Sequence, residues 1–248
     1  MKNILFIISL ALISIHPLQA AEQSAHWSYQ GDDGPDHWGE LSEQYELCRE
    51  GKNQSPVNLV ADFKVDLPEL VFEYHGTPVH ETNNGHTIML KVTPGNYLDV
   101  PERHQRYQLL QGHFHSPSEH TFDGKHFAME IHLVHSNEEG RLAVVGLMIE
   151  EGEENAMLNR IWTFMPEQVG ESTQSPLTVF EAGVMPPTRN YFSYAGSLTT
   201  PPCTEGITWV VLRDPLTASA EQIDRFKERV GPSTNRPTQP KNARTILD

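Results

Sequence analysis

The 248-residue sequence is poor in positive charge, in cysteine and in long apolar runs, and each shortage removes a class of function. With 18 Lys and Arg against 33 Asp and Glu, the net charge of −15 leaves no basic footprint for phosphate backbones or anionic lipid surfaces. Nucleic acid is therefore not an expected partner. The one strongly apolar run, Ile4 to Ile15, is well short of the roughly 20 residues that a helix needs to cross a bilayer, and no later segment approaches that length. Membrane insertion is not expected either. No internal repeat or low-complexity linker divides the chain, and its Pro and Gly are scattered as single turns.

The start of the chain, Lys2 followed by the Ile4 to Ile15 run and then Leu18-Gln19-Ala20, has the three-part layout of a secretory signal. The expected organisation is a signal peptide over residues 1–20, cleaved after Ala20 or Ala21, and one catalytic-size domain over 21–248 in a periplasmic or secreted compartment. In that oxidising setting the only two cysteines, Cys48 and Cys203, are expected to form a disulfide rather than remain buried thiols. Closing so long a loop is worth up to roughly 5 kcal/mol on the chain-entropy account.

The regular segments are mostly strands. Phe127, Met129, Ile131 and Leu133 alternate with Ala128, Glu130, His132 and Val134, a period of two. Leu142 to Ile149 and Ile207 to Leu212 are continuous apolar runs, as in strands buried on both faces. Two peripheral helices are expected. One follows the capping-box pair Ser219 and Gln222 with Ile223, Phe226 and Val230 inward, and the other runs from near Glu154 to Phe164 with Met157, Leu158 and Ile161 inward. The fold class is mainly β with short peripheral helices.

Residues two apart on a strand share a face, so Gln111, His113 and His115 point one way, and Glu130, His132 and Val134 share a face of another strand. Three neutral histidines with an open fourth position suit catalytic zinc. Gln111 and Glu130 can accept the remaining imidazole N–H groups and fix the tautomers. Among 13 histidines a His-x-His pair has little weight alone. His16, His104, His120, His126 and His135 lack the shared-face logic and read as surface or core residues; His135 falls on the face opposite His132. The spacing His113-x-His115-x-x-x-Glu119 also fits the cupins, small β-barrels holding iron or manganese, in which Glu119 would be a ligand.

The wider sequence resembles the alpha-class carbonic anhydrases. The similarity is carried in family order by Gln54-Ser55-Pro56-Val57-Asn58, Asn83-Asn84-Gly85-His86, Gln111 to His115, Ser118 to Thr121, Glu130 to His135, Gly196 to Pro202, Thr208-Trp209 and Asn235 to Pro240. The resemblance implies a single domain around a twisted, largely antiparallel sheet of about ten strands with zinc in a conical cleft. It implies reversible hydration of carbon dioxide to bicarbonate through a zinc-bound hydroxide. In that reading His113, His115 and His132 hold Zn(2+), Thr199 and Glu119 form a hydrogen-bonded gate, and His86 is the proton shuttle. Val134, Val144, Leu198 and Trp209, with Thr199 and Thr200, would contact the substrate.

Two departures stand out against that family. Ser116-Pro117 replaces the Trp-Gly of many animal relatives, and Met89 stands where a polar cleft residue is common. Bacterial relatives are often dimers, so the resemblance admits a homodimer. A Cys48–Cys203 bond would tether the loop carrying Thr199, and its reduction is expected to loosen the gate before zinc is lost.

Overall fold

The computed structural model describes residues 25–180, 185 and 190–248; the expected signal peptide, including His16, lies outside them. In chain order the strands begin with β1 (Asn58–Leu59), β2 (Val71–Glu73), β3 (Thr77–Asn83), β4 (Ile88–Val92), β5 (Tyr97–Val100) and β6 (Gln105–His115). They continue with β7 (Thr121–Phe122), β8 (Met129–Ser136), β9 (Leu142–Glu151), β10 (Ser172–Val179), β11 (Tyr191–Ser197) and β12 (Glu205–Ala218). Four α-helices accompany them: α1 (Trp38–Leu41), α2 (Leu47–Glu50), α3 (Ala156–Phe164) and α4 (Ala220–Val230).

Ten strands form one mixed sheet in the order β10-β3-β4-β6-β8-β9-β12-β11, with β5 added on β6 and β2 on β5. Every pairing in it is antiparallel except β9 with β12. The sheet is an open path, so the small barrel of a cupin is not what this chain builds.

Strand β8 lies between β6 and β9 and shows why the alternation matters. Met129, Ile131 and Leu133 enter one core, packed with Leu158, Ile161 and Trp162 of α3 and Ile223 and Phe226 of α4. Val134 enters a second core on the opposite face, with Val144, Phe192, Trp209 and Val211. Both faces of β9 are covered and its sequence reads as a nearly unbroken apolar run, whereas β8, buried as fully, alternates because its second face carries Glu130 and His132.

The predicted helices are present with small changes of boundary. Ser219 and Gln222 make a reciprocal capping box on α4, and Asn155 caps α3 by accepting from the backbone N–H of Met157 and Leu158. The predicted strand at Phe127 begins instead at Met129. Phe127 gives its N–H to Ser118 Oγ and accepts from Ser118 N, so its backbone groups close a loop rather than extend a ladder. Cys48 and Cys203 are joined with an S–S distance of 2.09 Å. Among the described residues no helix is long and apolar enough to cross a membrane.

Candidate metal centre

Strand register brings the three ligand candidates together. His113 of β6 pairs directly with His132 of β8, and His115 pairs with Glu130. One nitrogen from each of His113, His115 and His132 falls in a group whose members all lie within 4.8 Å of one another.

Which nitrogen each ring offers follows from its other hydrogen bond. Gln111 Oε1 accepts from His113 Nδ1 at 2.8 Å, Thr234 O accepts from His115 Nδ1 at 2.6 Å, and Glu130 Oε1 accepts from His132 Nε2 at 2.8 Å. Carbonyl and carboxylate oxygens cannot donate, so each partnered nitrogen carries the hydrogen. The lone pairs remain on His113 Nε2, His115 Nε2 and His132 Nδ1. His115 Nε2 is buried and has no hydrogen-bond partner. An orphaned buried acceptor beside two similar ones is what a metal would satisfy, and three imidazoles in this arrangement fit zinc.

Electrostatics favour the neutral form at two of the three rings. Burial, followed by the neighbouring histidines, pushes His113 well below the usual imidazole range; His115 is lowered too, chiefly by burial. For His132, burial acts downward but the charge and hydrogen bond of Glu130 outweigh it and leave the ring more basic than usual. Burial would raise Glu130, yet His120 and His132 hold its carboxyl well below the ordinary range.

A second group, His120, Glu130 and His132, is also close enough to hold an ion. Its polar atoms are already committed. Glu130 Oε1 accepts from His120 Nδ1 at 2.7 Å as well as from His132, Glu130 Oε2 accepts from the backbone N–H of Glu119 and His120, and His120 Nε2 meets Tyr194 Oη at 2.6 Å. This group supports the first rather than competing with it.

Glu119 is fully buried, not a surface carboxylate. Its Oε1 accepts from Arg236 N at 2.8 Å, while Oε2 lies 3.5 Å from His115 Nε2 and 3.8 Å from His132 Nδ1 with no hydrogen-bond partner. Thr199 is buried on the loop after β11, which is closed by Leu198 N donating to Thr204 O and Cys203 N donating to Thr200 O. The hydrogen bond expected between Thr199 and Glu119 is not formed at Oε2 in this geometry.

His86 sits on the turn between β3 and β4. Asn83 Oδ1 accepts from Gly85 N, Asn84 Oδ1 accepts from His86 N and Thr87 N, and Gly85 takes φ +85°, which explains the Asn-Asn-Gly order. The half-buried ring stacks on Trp27, with centroids 3.7 Å apart. Burial, then the charge of His26, lowers its pKa. A cavity of about 130 Å³ is lined by His86, Met89, His113, His115 and Thr200, and a second of about 640 Å³, lined also by His26, shares Trp27, Tyr29, Asn84 and His86 with it. Met89 pairs with His113 across β4 and β6.

Val134, Val144 and Trp209 are buried in one cluster with Leu198 packed against it, and the Trp209 ring lies 4.8 Å from that of His132. Of the histidines set aside, His135 is buried on the opposite face against Tyr74 Oη at 2.5 Å. His104 takes a left-handed φ of 51°, and His126 Nδ1 bonds Ser118 O at 2.6 Å. Thr234 O was not foreseen, since a backbone acceptor has no residue signature. Trp27 was not singled out, and His120, read as a surface or core residue, is fully buried between Glu130 Oε1 and Tyr194 Oη.

The family model for "Eukaryotic-type carbonic anhydrase" matches residues 33–248. A carbonic anhydrase of Klebsiella pneumoniae is 42% identical over 240 residues, 96% of this chain and 97% of that protein. Among solved structures, the alpha-carbonic anhydrase of Thermovibrio ammonificans in complex with the inhibitor sulfanilamide is 40% identical with a TM-score of 0.87, covering 91% of this chain and all of that one (100%). The Photobacterium profundum alpha-carbonic anhydrase is 37% identical with a TM-score of 0.84, covering 90% of this chain and 100% of that one.

Proposed function

The chain belongs to the eukaryotic-type, or alpha, carbonic anhydrase family, and from that premise we propose that it hydrates carbon dioxide reversibly at a zinc ion held by His113, His115 and His132. The observation that carries the reading is the convergence of three imidazole nitrogens within 4.8 Å, each presented by a fixed tautomer. Zinc there supplies a water-derived nucleophile at neutral pH by lowering the pKa of bound water, an effect for which carbonic anhydrases are the type example.

The protein's own groups do the rest. Gln111, Thr234 and Glu130 keep the ligand rings from turning. Glu119, fixed through Oε1 by Arg236 N, offers the unpartnered Oε2 to the Thr199 hydroxyl. With its proton committed there, Thr199 can only accept from the attacking oxygen, which aims that oxygen's lone pair at the substrate. Val134, Val144, Leu198 and Trp209 form the apolar wall on which carbon dioxide rests, with Thr200 at the cavity side. His86 lines both cavities and passes the surplus proton to solvent.

The test is zinc analysis of the mature chain coupled to a carbon dioxide hydration assay, with His132→Ala as control. One zinc per chain with hydration activity, both lost in the variant, is the expected result. Stoichiometric zinc without hydration would refute the catalytic reading. The layout of Lys2 followed by the apolar Ile4 to Ile15 run, together with the disulfide, supports export before the enzyme acts.

A further inference from the structure

Arg236 is 1% exposed, and among the described residues no carboxylate forms an ion pair with its guanidinium. A buried cation of this kind is costly unless its donors are taken up. Three hydrogen bonds take up its Nη groups, while Nε stays buried without a partner, and the three acceptors have one thing in common: all belong to segments that fasten the Thr199 loop. Nη1 donates to Gln54 Oε1 at 2.8 Å and to Ser55 O at 2.9 Å, and Nη2 donates to Cys48 O at 2.9 Å. The guanidinium also lies 5.6 Å from the Trp38 ring centroid.

Each acceptor leads back to the loop that carries Thr199. Gln54 Nε2 donates to Cys203 O at 3.0 Å, at the far end of that loop. Ser55 N donates to Ser197 Oγ at 2.9 Å, and Ser55 Oγ accepts from Ser197 N at 3.1 Å, at the near end. Cys48 is bonded covalently to Cys203. The backbone N–H of Arg236 meanwhile holds Glu119 Oε1, the other half of the gate. One residue therefore touches Glu119 with its main chain and, through Gln54, Ser55 and Cys48, both ends of the Thr199 loop with its side chain.

We propose that Arg236 is a positioning residue that sets Glu119 and the Thr199 loop in register, and that its guanidinium clamp and the Cys48–Cys203 disulfide are parallel fastenings of the same loop. The clamp reaches the backbone carbonyls of Gln54's partner Cys203 and of Cys48 themselves, so it holds the two cysteines' main chains whether or not their sulfurs are joined. Either fastening alone keeps the loop in place; the loss of both frees it. The functional part of this inference rests on the gate role assigned to Thr199 and Glu119 above.

The experiment is a double-mutant cycle with Arg236→Met, the pair Cys48→Ser with Cys203→Ser, and the combination, all zinc-loaded. The readouts are amide exchange of residues 198–204, zinc content, and kcat and KM for hydration. Each single change is expected to speed exchange in the loop by on the order of tenfold, about one charge-assisted hydrogen bond's worth. The combination should exceed the product of the two by about tenfold again, which marks coupling. Zinc content should stay at one per chain while kcat falls and KM changes little.

Arg236→Lys, which keeps the charge but not the planar fork, should recover part of the protection. Should Arg236→Met not fold, Gln54→Leu takes its place in the cycle, with the same coupling required. Strictly multiplicative effects, or zinc lost in step with loop protection, would overturn the proposal. An inactive but zinc-bound wild-type protein would overturn the catalytic reading and leave the exchange cycle to judge the clamp.

Discussion

Replacing Glu81 should make the protein markedly more stable in alkaline solution. Glu81 projects from β3 between Leu90 of β4 and Thr173 of β10, is fully buried, and neither of its carboxylate oxygens has a hydrogen-bond partner. Burial pushes its pKa from 4.5 up to about 8, with no charge contributing. A group whose pKa is raised on folding gives stability that is complete below its unfolded value and is lost as pH rises through the folded value. The loss therefore accumulates between pH 4.5 and about 8. At 1.36 kcal/mol per unit, the difference comes to about 5 kcal/mol by pH 9.

That is a large part of the 5–15 kcal/mol that stabilises an ordinary domain. Glu81→Gln removes the titration and keeps the shape, while Glu81→Leu also removes the unsatisfied polar atoms and faces Leu90 with an apolar side chain. Urea unfolding of wild type and both variants at pH 5, 7 and 9, with the disulfide intact, separates the effects, since other groups contribute equally to all three proteins. The wild type should lose several kcal/mol relative to Glu81→Gln between pH 5 and 9. Parallel pH profiles for the two would refute the reasoning, because they would mean that the carboxyl reaches water or a hidden partner.

His135 predicts the opposite limb. Burial pushes it down to about 4, so its contribution is complete above pH 6.5 and is lost as pH falls to that value. His135→Gln, which leaves an acceptor for Tyr74, should flatten the acid loss of stability by about 3 kcal/mol, read from urea midpoints between pH 6.5 and 4. A Cβ on Gly146, which pairs with His132, would lie 2.9 Å from Glu130 Oε1, an oxygen held by two imidazoles. Gly146→Ala should weaken zinc binding by about ten- to a hundredfold in chelator competition while the fold persists; unchanged affinity would show that Glu130 yields without cost. His86→Ala should retain zinc yet lose roughly ten- to a hundredfold of turnover in dilute buffer, with added imidazole restoring it. No rescue would place the proton path elsewhere.

The three proposed ligands and two of their hydrogen-bond partners could be brought together from the sequence because a strand writes its faces into it at a period of two. Gln111, His113 and His115 share one face and Glu130, His132 and Val134 another, and the β6–β8 register sets those faces side by side. The central strands were legible for a related reason: Leu142 to Ile149 and Ile207 to Leu212 are apolar throughout because both faces are covered. The third ligand's support was not legible. It is a carbonyl, Thr234 O, more than a hundred residues from His115 and chosen by backbone path rather than side-chain type. Boundaries were blurred wherever a side chain competed with the ladder, as Ser118 does at Phe127.

His120 and Arg236 show what a strand period cannot convey. His120 lies outside β8, and its place between Glu130 and Tyr194 depends on a loop folding back over the sheet. Arg236 lies in the segment after α4, where neither period applies, and its partners at Cys48, Gln54 and Ser55 are more than 180 residues earlier. Yet these residues hold the groups around the legible ones. Three histidines on adjacent strands would still converge if His120 were apolar, but Glu130 Oε1 would then lose one of its two imidazole donors and His132 a restrained partner. They would converge as well without the Arg236 side chain, but the Thr199 loop, still held by Gln54, Ser55 and the disulfide, would lose the guanidinium that ties those fastenings to the residue whose backbone holds Glu119. The convergence of three histidines can therefore be read from alternation alone, whereas the placing of Glu119 and the Thr199 loop rests on long-range contacts to main-chain atoms, which leave no periodic mark in the sequence.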